Sequence, residues 1–223
     1  MKLINKLKKE NVECVANANI AEHLDKKTLK RLEKDVEHNC QGLLDALAID
    51  TGNDHNTRET AKRMAKMYVH EVFKGRYQEK PRITDFPNAK NLDELYTVGP
   101  IEVRSACSHH FVPIMGKVWV GILPSERVIG LSKFSRLVDW VMSRPHIQEE
   151  ASVMLADEIE SLVKPKAVAI VFKAQHMCMT WRGVKEKDTC MVNSVLRGEF
   201  YENQALRNEF FDIIKSQGFN NDL

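Results

Sequence analysis

The sequence has no long apolar run. Its longest unbroken apolar stretch of note, Ala167 to Phe172, falls far short of the ~18–20 residues that a membrane-spanning helix needs. Glycine and proline are scarce, ten and seven in 223 residues, which excludes collagen-like and low-complexity classes. An excess of one charge is lacking too: 33 Lys and Arg stand against 31 Asp and Glu, a formal net charge of +2. A general nucleic-acid binder would carry a marked basic surplus; a local basic pocket for a phosphorylated small molecule is compatible with the balance. Lys2, Lys6, Lys8 and Lys9 cluster near the start. No apolar segment follows them, so no secretory signal is expected and the cluster reads as a solvated terminus. The five cysteines, Cys14, Cys40, Cys107, Cys178 and Cys190, are odd in number and widely spaced. A disulfide framework is therefore not expected, and reduced thiols in a cytoplasmic chain are.

What is present, 43% hydrophobic and 29% charged residues, suits one globular domain or a domain with an appended helical segment. Residues 1–26 carry little pattern and read as a loose arm. From Lys27 to Ile49, Leu29, Leu32, Val36, Cys40, Leu43, Leu44 and Leu47 recur at steps of three and four, one apolar stripe of a helix. Thr51 to Asp54 turns the chain. A second helix is expected from Asn56 to about Lys74, with Gly75 as its C′ residue. Residues 76–95 connect, broken by Pro81 and Pro87. The period then changes to two. Val98, Ile101 and Val103, then Val118, Val120 and Ile122, predict two strands joined by His109 to Gly116. Ser132 to Ser143 reads as a short helix, and Pro145 as the first turn of the next, which Pro165 closes. Ala167 to Phe172 is expected as a buried strand, Cys190 to Leu196 as its hairpin partner, and Tyr201 to Gln217 as a final helix. Both strand pairs are joined too closely for a helical crossover, so antiparallel pairing and an α+β class are expected. Two parts are expected, an N-terminal arm and helical segment over 1–90 and a sheet-bearing catalytic domain over 91–223.

Chemistry concentrates in four places. Cys107-Ser108-His109-His110 sets a thiol and an imidazole three residues apart, within reach of one metal across a tight turn; zinc prefers such N/S ligands. Alone, the motif equally describes a buried cysteine beside two partly exposed histidines. His176-Met177-Cys178-Met179, just after the apolar strand, offers another imidazole and thiol, and equally suits core packing. Together the two clusters favour a shared site. Two thiolates and one imidazole leave a position open for water, and the two further histidines suit proton transfer near neutral pH. Gly130-Leu131-Ser132-Lys133 precedes a helix and could meet phosphate at its start, with Arg136 one turn on; Arg182-Gly183 follows the second cluster. Surface solvation is the plainer fate of each cation. Gln148 and Glu149 could pair with the edge of a guanine, although acidic residues in a helical first turn are also favoured by the helix dipole.

The sequence resembles the GTP cyclohydrolase I family. The family's Cys-Glu-His-His, Gly-Leu-Ser-Lys-x-x-Arg, Gln-x-Gln-Glu-Arg and His-x-Cys-x-x-x-Arg-Gly are matched in order by Cys107 to His110, Gly130 to Arg136, His146 to Glu150, and His176 to Gly183. The likeness covers about residues 27–215, from before Arg63-Met64-Ala65-Lys66-Met67-Tyr68 to beyond Gly198-Glu199-Phe200. The resemblance implies a zinc enzyme that converts GTP to 7,8-dihydroneopterin triphosphate and formate. It implies zinc ligands at Cys107, His110 and Cys178, and an acid–base pair at His109 and His176, with Ser132 relaying protons later. Gln148 and Glu149 would recognise guanine; Lys66, Lys133, Arg136 and Arg182 would hold the triphosphate or ribose. The implied fold is a helical N-terminal part followed by a T-fold, an antiparallel sheet with helices on one face. The implied assembly is a homodecamer of two pentameric rings with active sites between subunits, and no nucleic-acid or membrane partner is expected. Ser108 stands in place of the usual Glu, Glu150 in place of an Arg, and Ala61 where Pro is frequent. The stretch Thr189 to Ser194 has fewer hydroxyls than the family's. A T-fold purine-binding protein without turnover, or with altered specificity, is the alternative those departures raise.

Overall fold

The computed structural model describes residues 3–220, so Lys2 of the lysine cluster lies outside the described residues. The chain forms two compact units that divide between Glu79 and Lys80.

The first unit is helical. The arm expected to be loose contains α1 (Leu3–Lys9) and a 3₁₀ turn over Ala21–His23. Helix α2 (Lys26–Ala46) starts where Asp25 Oδ1 accepts the Thr28 N–H at 2.6 Å, an N-cap that sequence periodicity did not mark. Of its apolar stripe only Leu44 is fully buried, and Leu43 and Leu47 are exposed. The second expected helix is shorter and divided: α3 (Thr60–Lys66), a π-helical turn over Met67–Val72, and α4 (Lys74–Tyr77), which contains Gly75 instead of ending before it. Asn19 Nδ2 donates to the Gly75 and Gln78 carbonyls at 2.7 and 2.8 Å and so ties the arm to α4. His70 Nε2 meets Glu33 Oε2 at 2.9 Å between the π-helical turn and α2.

The second unit is built on a sheet. Its elements are β1 (Asp85–Pro87), β2 (Tyr96–Cys107), β3 (Pro113–Leu123), β4 (Arg127–Ile129), α5 (Leu131–Met142), β5 (Pro145–His146), α6 (Gln148–Val163), β6 (Ala167–His176), α7 (Met177–Thr180), β7 (Met191–Gly198), α8 (Glu199–Glu202) and α9 (Gln204–Ser216). The main sheet runs β5-β2-β3-β6-β7, antiparallel except for the short parallel β2–β5 pair; β1 and β4 pair separately. That β1–β4 pair draws residues 85–87 into the sheet unit, so the division comes earlier than the expected 90/91 boundary. Pro145 lies in β5, not in a helical turn, and α6 starts three residues later.

The class is α+β, and residue alternation explains the layering. On β3, Val118, Val120 and Ile122 face a core shared with Phe134, Leu137 and Val141 of α5 and Ala151, Leu155 and Ile159 of α6. Trp119 and Leu123, from the other face, join Phe200, Phe210 and Ile214 of α8 and α9. Helices α5 and α6 cover one face as expected; α8 and α9 add cover on part of the other. This explains the run Ala167 to Phe172: a strand buried on both faces has no polar side to alternate with. Gly121 lies under the Phe210 ring, where a Cβ would come within 2.6 Å of it.

Candidate active site

The site grows from sheet register. β2 ends at Cys107, and β3 begins six residues later with Pro113 opposite Ala106. The turn between them is tight. The Cys107 N–H donates to the Val112 carbonyl and the Phe111 N–H to the Cys107 carbonyl, each at 2.9 Å, while Phe111 takes a left-handed φ of 54°. The Ser108 N–H donates to the His146 carbonyl at 3.0 Å, which fastens the turn to β5. β6 pairs with β3 so that His176 lies opposite Ile114. The polar end of β6, from Lys173 to His176, therefore runs beside the turn, and α7 carries Cys178 onto it.

The result is that Cys107, His110 and Cys178 present donor atoms that all lie within 4.8 Å of one another. Cys107 is buried, Cys178 half-buried and His110 exposed. The His110 N–H donates to Cys107 Sγ at 3.2 Å, and His110 Nδ1 lies 3.7 Å from the same sulfur. Burial first, then the neighbouring Cys107 thiol, push the Cys178 thiol above its ordinary value. Two sulfurs and an imidazole nitrogen this close together are the donor chemistry of a group that can hold a metal ion.

Around this cluster the other expected residues divide. Arg182 Nη1 sits 3.0 Å from His110 Nε2. His109 is exposed, its ring edge-on to His110 at 6.3 Å between centroids. His176 is half-buried; burial lowers its pKa, partly offset by the Glu149 carboxylate. That places Glu149, exposed in the first turn of α6, within electrostatic reach of His176. Ser132, Lys133 and Arg136 occupy the first two turns of α5, with Ser132 and Arg136 exposed. Among the described residues they make no hydrogen bond or ion pair with the cluster. Lys66 ends α3 in the first unit and is exposed.

Gln148, expected as a guanine contact, opens α6. It is 1% exposed, and its side chain is engaged by the protein: Nε2 reaches the Phe172 carbonyl and Asn193 Oδ1, and Oε1 meets His176 Nε2 at 2.8 Å. Sequence reading missed Asn193 and Ser152 as parts of this arrangement. The available signal was an asparagine at an inward position of β7, between Met191 and Val195, where the alternation calls for an apolar residue.

The model of the family described as GTP cyclohydrolase I matches residues 36–215. GTP cyclohydrolase 1 of Actinobacillus pleuropneumoniae serotype 5b (strain L20) is 36% identical over 181 residues, 81% of this chain and 83% of that protein. GTP cyclohydrolase 1 of Enterobacter sp. (strain 638) is 36% identical over 193 residues, 86% of this chain and 85% of that protein. GTP cyclohydrolase 1 of Flavobacterium johnsoniae (strain UW101) is 35% identical over 192 residues, covering 86% and 83%. The matched stretch includes the cysteine–histidine turn, α5, α6 and the end of β6, and it makes this chain a member of the GTP cyclohydrolase I family.

Proposed function

We propose that this chain is a zinc-dependent GTP cyclohydrolase I that opens the imidazole ring of GTP and yields 7,8-dihydroneopterin triphosphate and formate. The observation that carries the proposal is the meeting of Cys107, His110 and Cys178 donor atoms within 4.8 Å, at the strand end that bears His176. Two sulfurs and one imidazole nitrogen suit zinc, and three protein ligands leave the fourth position of a tetrahedral shell open. When bound there, zinc supplies Lewis acidity that makes water a nucleophile near neutral pH.

The chain's own residues do the rest. His176 holds a proton for N7 of the guanine as C8 is attacked. His109, exposed and next to a metal ligand, exchanges a proton with the ribose ring oxygen in the later rearrangement, where Ser132 assists. Glu149, exposed beside His176, accepts from the N1–H and exocyclic amine of the guanine. Lys133, Arg136 and Arg182 bind the triphosphate; Arg182 would leave His110 to do so.

The half-exposed stripe of α2 supports assembly with further copies, and a homodecamer is the assembly we propose. All five cysteines are free thiols, which supports a reducing, cytoplasmic setting. Among the described residues no helix is long and apolar enough to cross a membrane. The test is direct: zinc-loaded protein is incubated with GTP, and formate and the pterin product are quantified. Equal amounts of both are expected; consumption of GTP without formate, or no consumption, overturns the assignment.

A further inference from the structure

The side chain of Gln148 is enclosed by acceptors. Its Nε2 donates to the carbonyls of Phe172 at 2.9 Å and Met191 at 3.2 Å, and to Asn193 Oδ1 at 2.9 Å. Backbone carbonyls only accept, so they fix which end of the Gln148 amide is nitrogen. The other end, Oε1, lies 2.8 Å from His176 Nε2. An amide oxygen only accepts, so in the neutral imidazole the hydrogen sits on Nε2 and Nδ1 is bare.

Asn193 and Ser152 lock this arrangement from behind. Asn193 Nδ2 donates to Ser152 Oγ at 3.0 Å, and Ser152 Oγ donates to the Gln148 carbonyl at 3.1 Å. Ser152 is fully buried. The circuit closes on itself: the Gln148 main chain, Ser152, Asn193, then the Gln148 side chain.

We propose that Gln148 is a positioning residue: with Asn193 and Ser152 it holds the His176 ring through its Nε2–H and leaves Nδ1 as the nitrogen through which a proton reaches N7 of the guanine. This rests on the reading of His176 as the acid–base group of a GTP cyclohydrolase I. A ring held in one tautomer and one orientation spends no time in the unproductive form, so the circuit acts on turnover rather than on GTP affinity.

The test combines spectroscopy and kinetics on the full-length, zinc-loaded protein. In protein carrying 15N-labelled histidine, with the His176 signals assigned by difference against His176→Asn, Nε2 is expected to be the protonated nitrogen. Gln148→Leu is expected to mix the two tautomers and to lower kcat for formate release by on the order of 10-fold, with KM for GTP changed by less than about 3-fold. Asn193→Leu, which leaves the two carbonyl partners in place, is expected to act in the same direction and more weakly. A hydrogen on Nδ1 with Nε2 bare in the unaltered protein overturns the proposal, even if Gln148→Leu fails to fold. A rise in KM with kcat unchanged in Gln148→Leu also overturns it and returns Gln148 to the substrate contacts. Unaltered spectra and turnover in Asn193→Leu remove Asn193 from the circuit. Absence of formate release by the unaltered protein sinks the activity reading alone, and the tautomer comparison still decides this one.

Discussion

His146 makes acid pH a specific threat to this fold. The residue is 1% exposed in β5, paired alongside Cys107. Its Nε2 donates to the Val141 carbonyl at 2.7 Å, while Nδ1 is buried with no hydrogen-bond partner among the described residues. A second proton on the ring would therefore be a buried charge with no acceptor. Burial pushes the pKa from 6.5 down to about 4; the Val141 hydrogen bond works against that shift, and the nearby Arg144 guanidinium adds to it. Unfolding restores the ordinary value. Between those two values the unfolded chain binds more protons than the folded one, so stability falls as pH falls. At 1.36 kcal/mol per pK unit the loss levels off at about 3 kcal/mol below both values, and it amounts to about 2 kcal/mol at a pH of about 5. His146→Gln keeps a donor for the Val141 carbonyl and cannot be protonated. Urea denaturation of both proteins at about pH 7.5 and about pH 5, at one protein and zinc concentration, isolates the effect, because the two proteins differ at this residue alone. The unaltered protein should lose about 2 kcal/mol more than the variant over that interval. Equal losses would show that His146 is not the buried neutral group described.

Three further outcomes follow from the same geometry. Cys178→Ala should abolish stoichiometric zinc binding in metal analysis of folded protein, because a third donor is lost; retained zinc would contradict the ligand set. Arg182→Ala should raise KM for GTP by on the order of 10-fold without removing zinc, and the unaltered protein should lose GTP affinity steeply with added salt as exposed charge pairs are screened; an unchanged KM would take Arg182 out of the triphosphate pocket. Gly116→Ala should destabilise the fold by about 2 kcal/mol, since a Cβ there overlaps the Lys173 carbonyl and the Ala174 main chain on β6. A denaturation midpoint equal to that of the unaltered protein would show that β3 and β6 have room to part.

The parts legible in the sequence were those with a local physical cause. The α2 stripe, the alternation on β3 and the apolar start of β6 each follow from one face, or two, meeting a core. The end of β6 was illegible because Lys173, Gln175 and His176 lack an apolar rhythm; only pairing with β3 extends the strand to His176. Pro145 misled because a proline before an acidic pair suits a helix start, whereas here it precedes a two-residue strand held against β2. The three-residue strands β1 and β4 carry too few residues to show a period. The π-helical turn at Met67–Val72 has no sequence mark among its neighbours. The meeting of Cys107, His110 and Cys178 was legible because two short motifs occur jointly. The occupation of Gln148 was not, because Asn193 lies 45 residues away on another element and only folding brings the two amides together.

We propose that one site, at the turn after β2 and the end of β6, performs hydrolytic ring opening with its own histidines. The measurement that tests it most directly is the yield of formate and of 7,8-dihydroneopterin triphosphate from GTP, compared for the unaltered zinc-loaded protein, His176→Ala and His109→Ala. The unaltered protein should release the two in equal amounts. His176→Ala should release neither at more than about a hundredth of that rate, and His109→Ala should lose the pterin to a similar degree while still opening the ring. Pterin formation near the unaltered rate in both variants, with zinc and fold intact, would contradict the account.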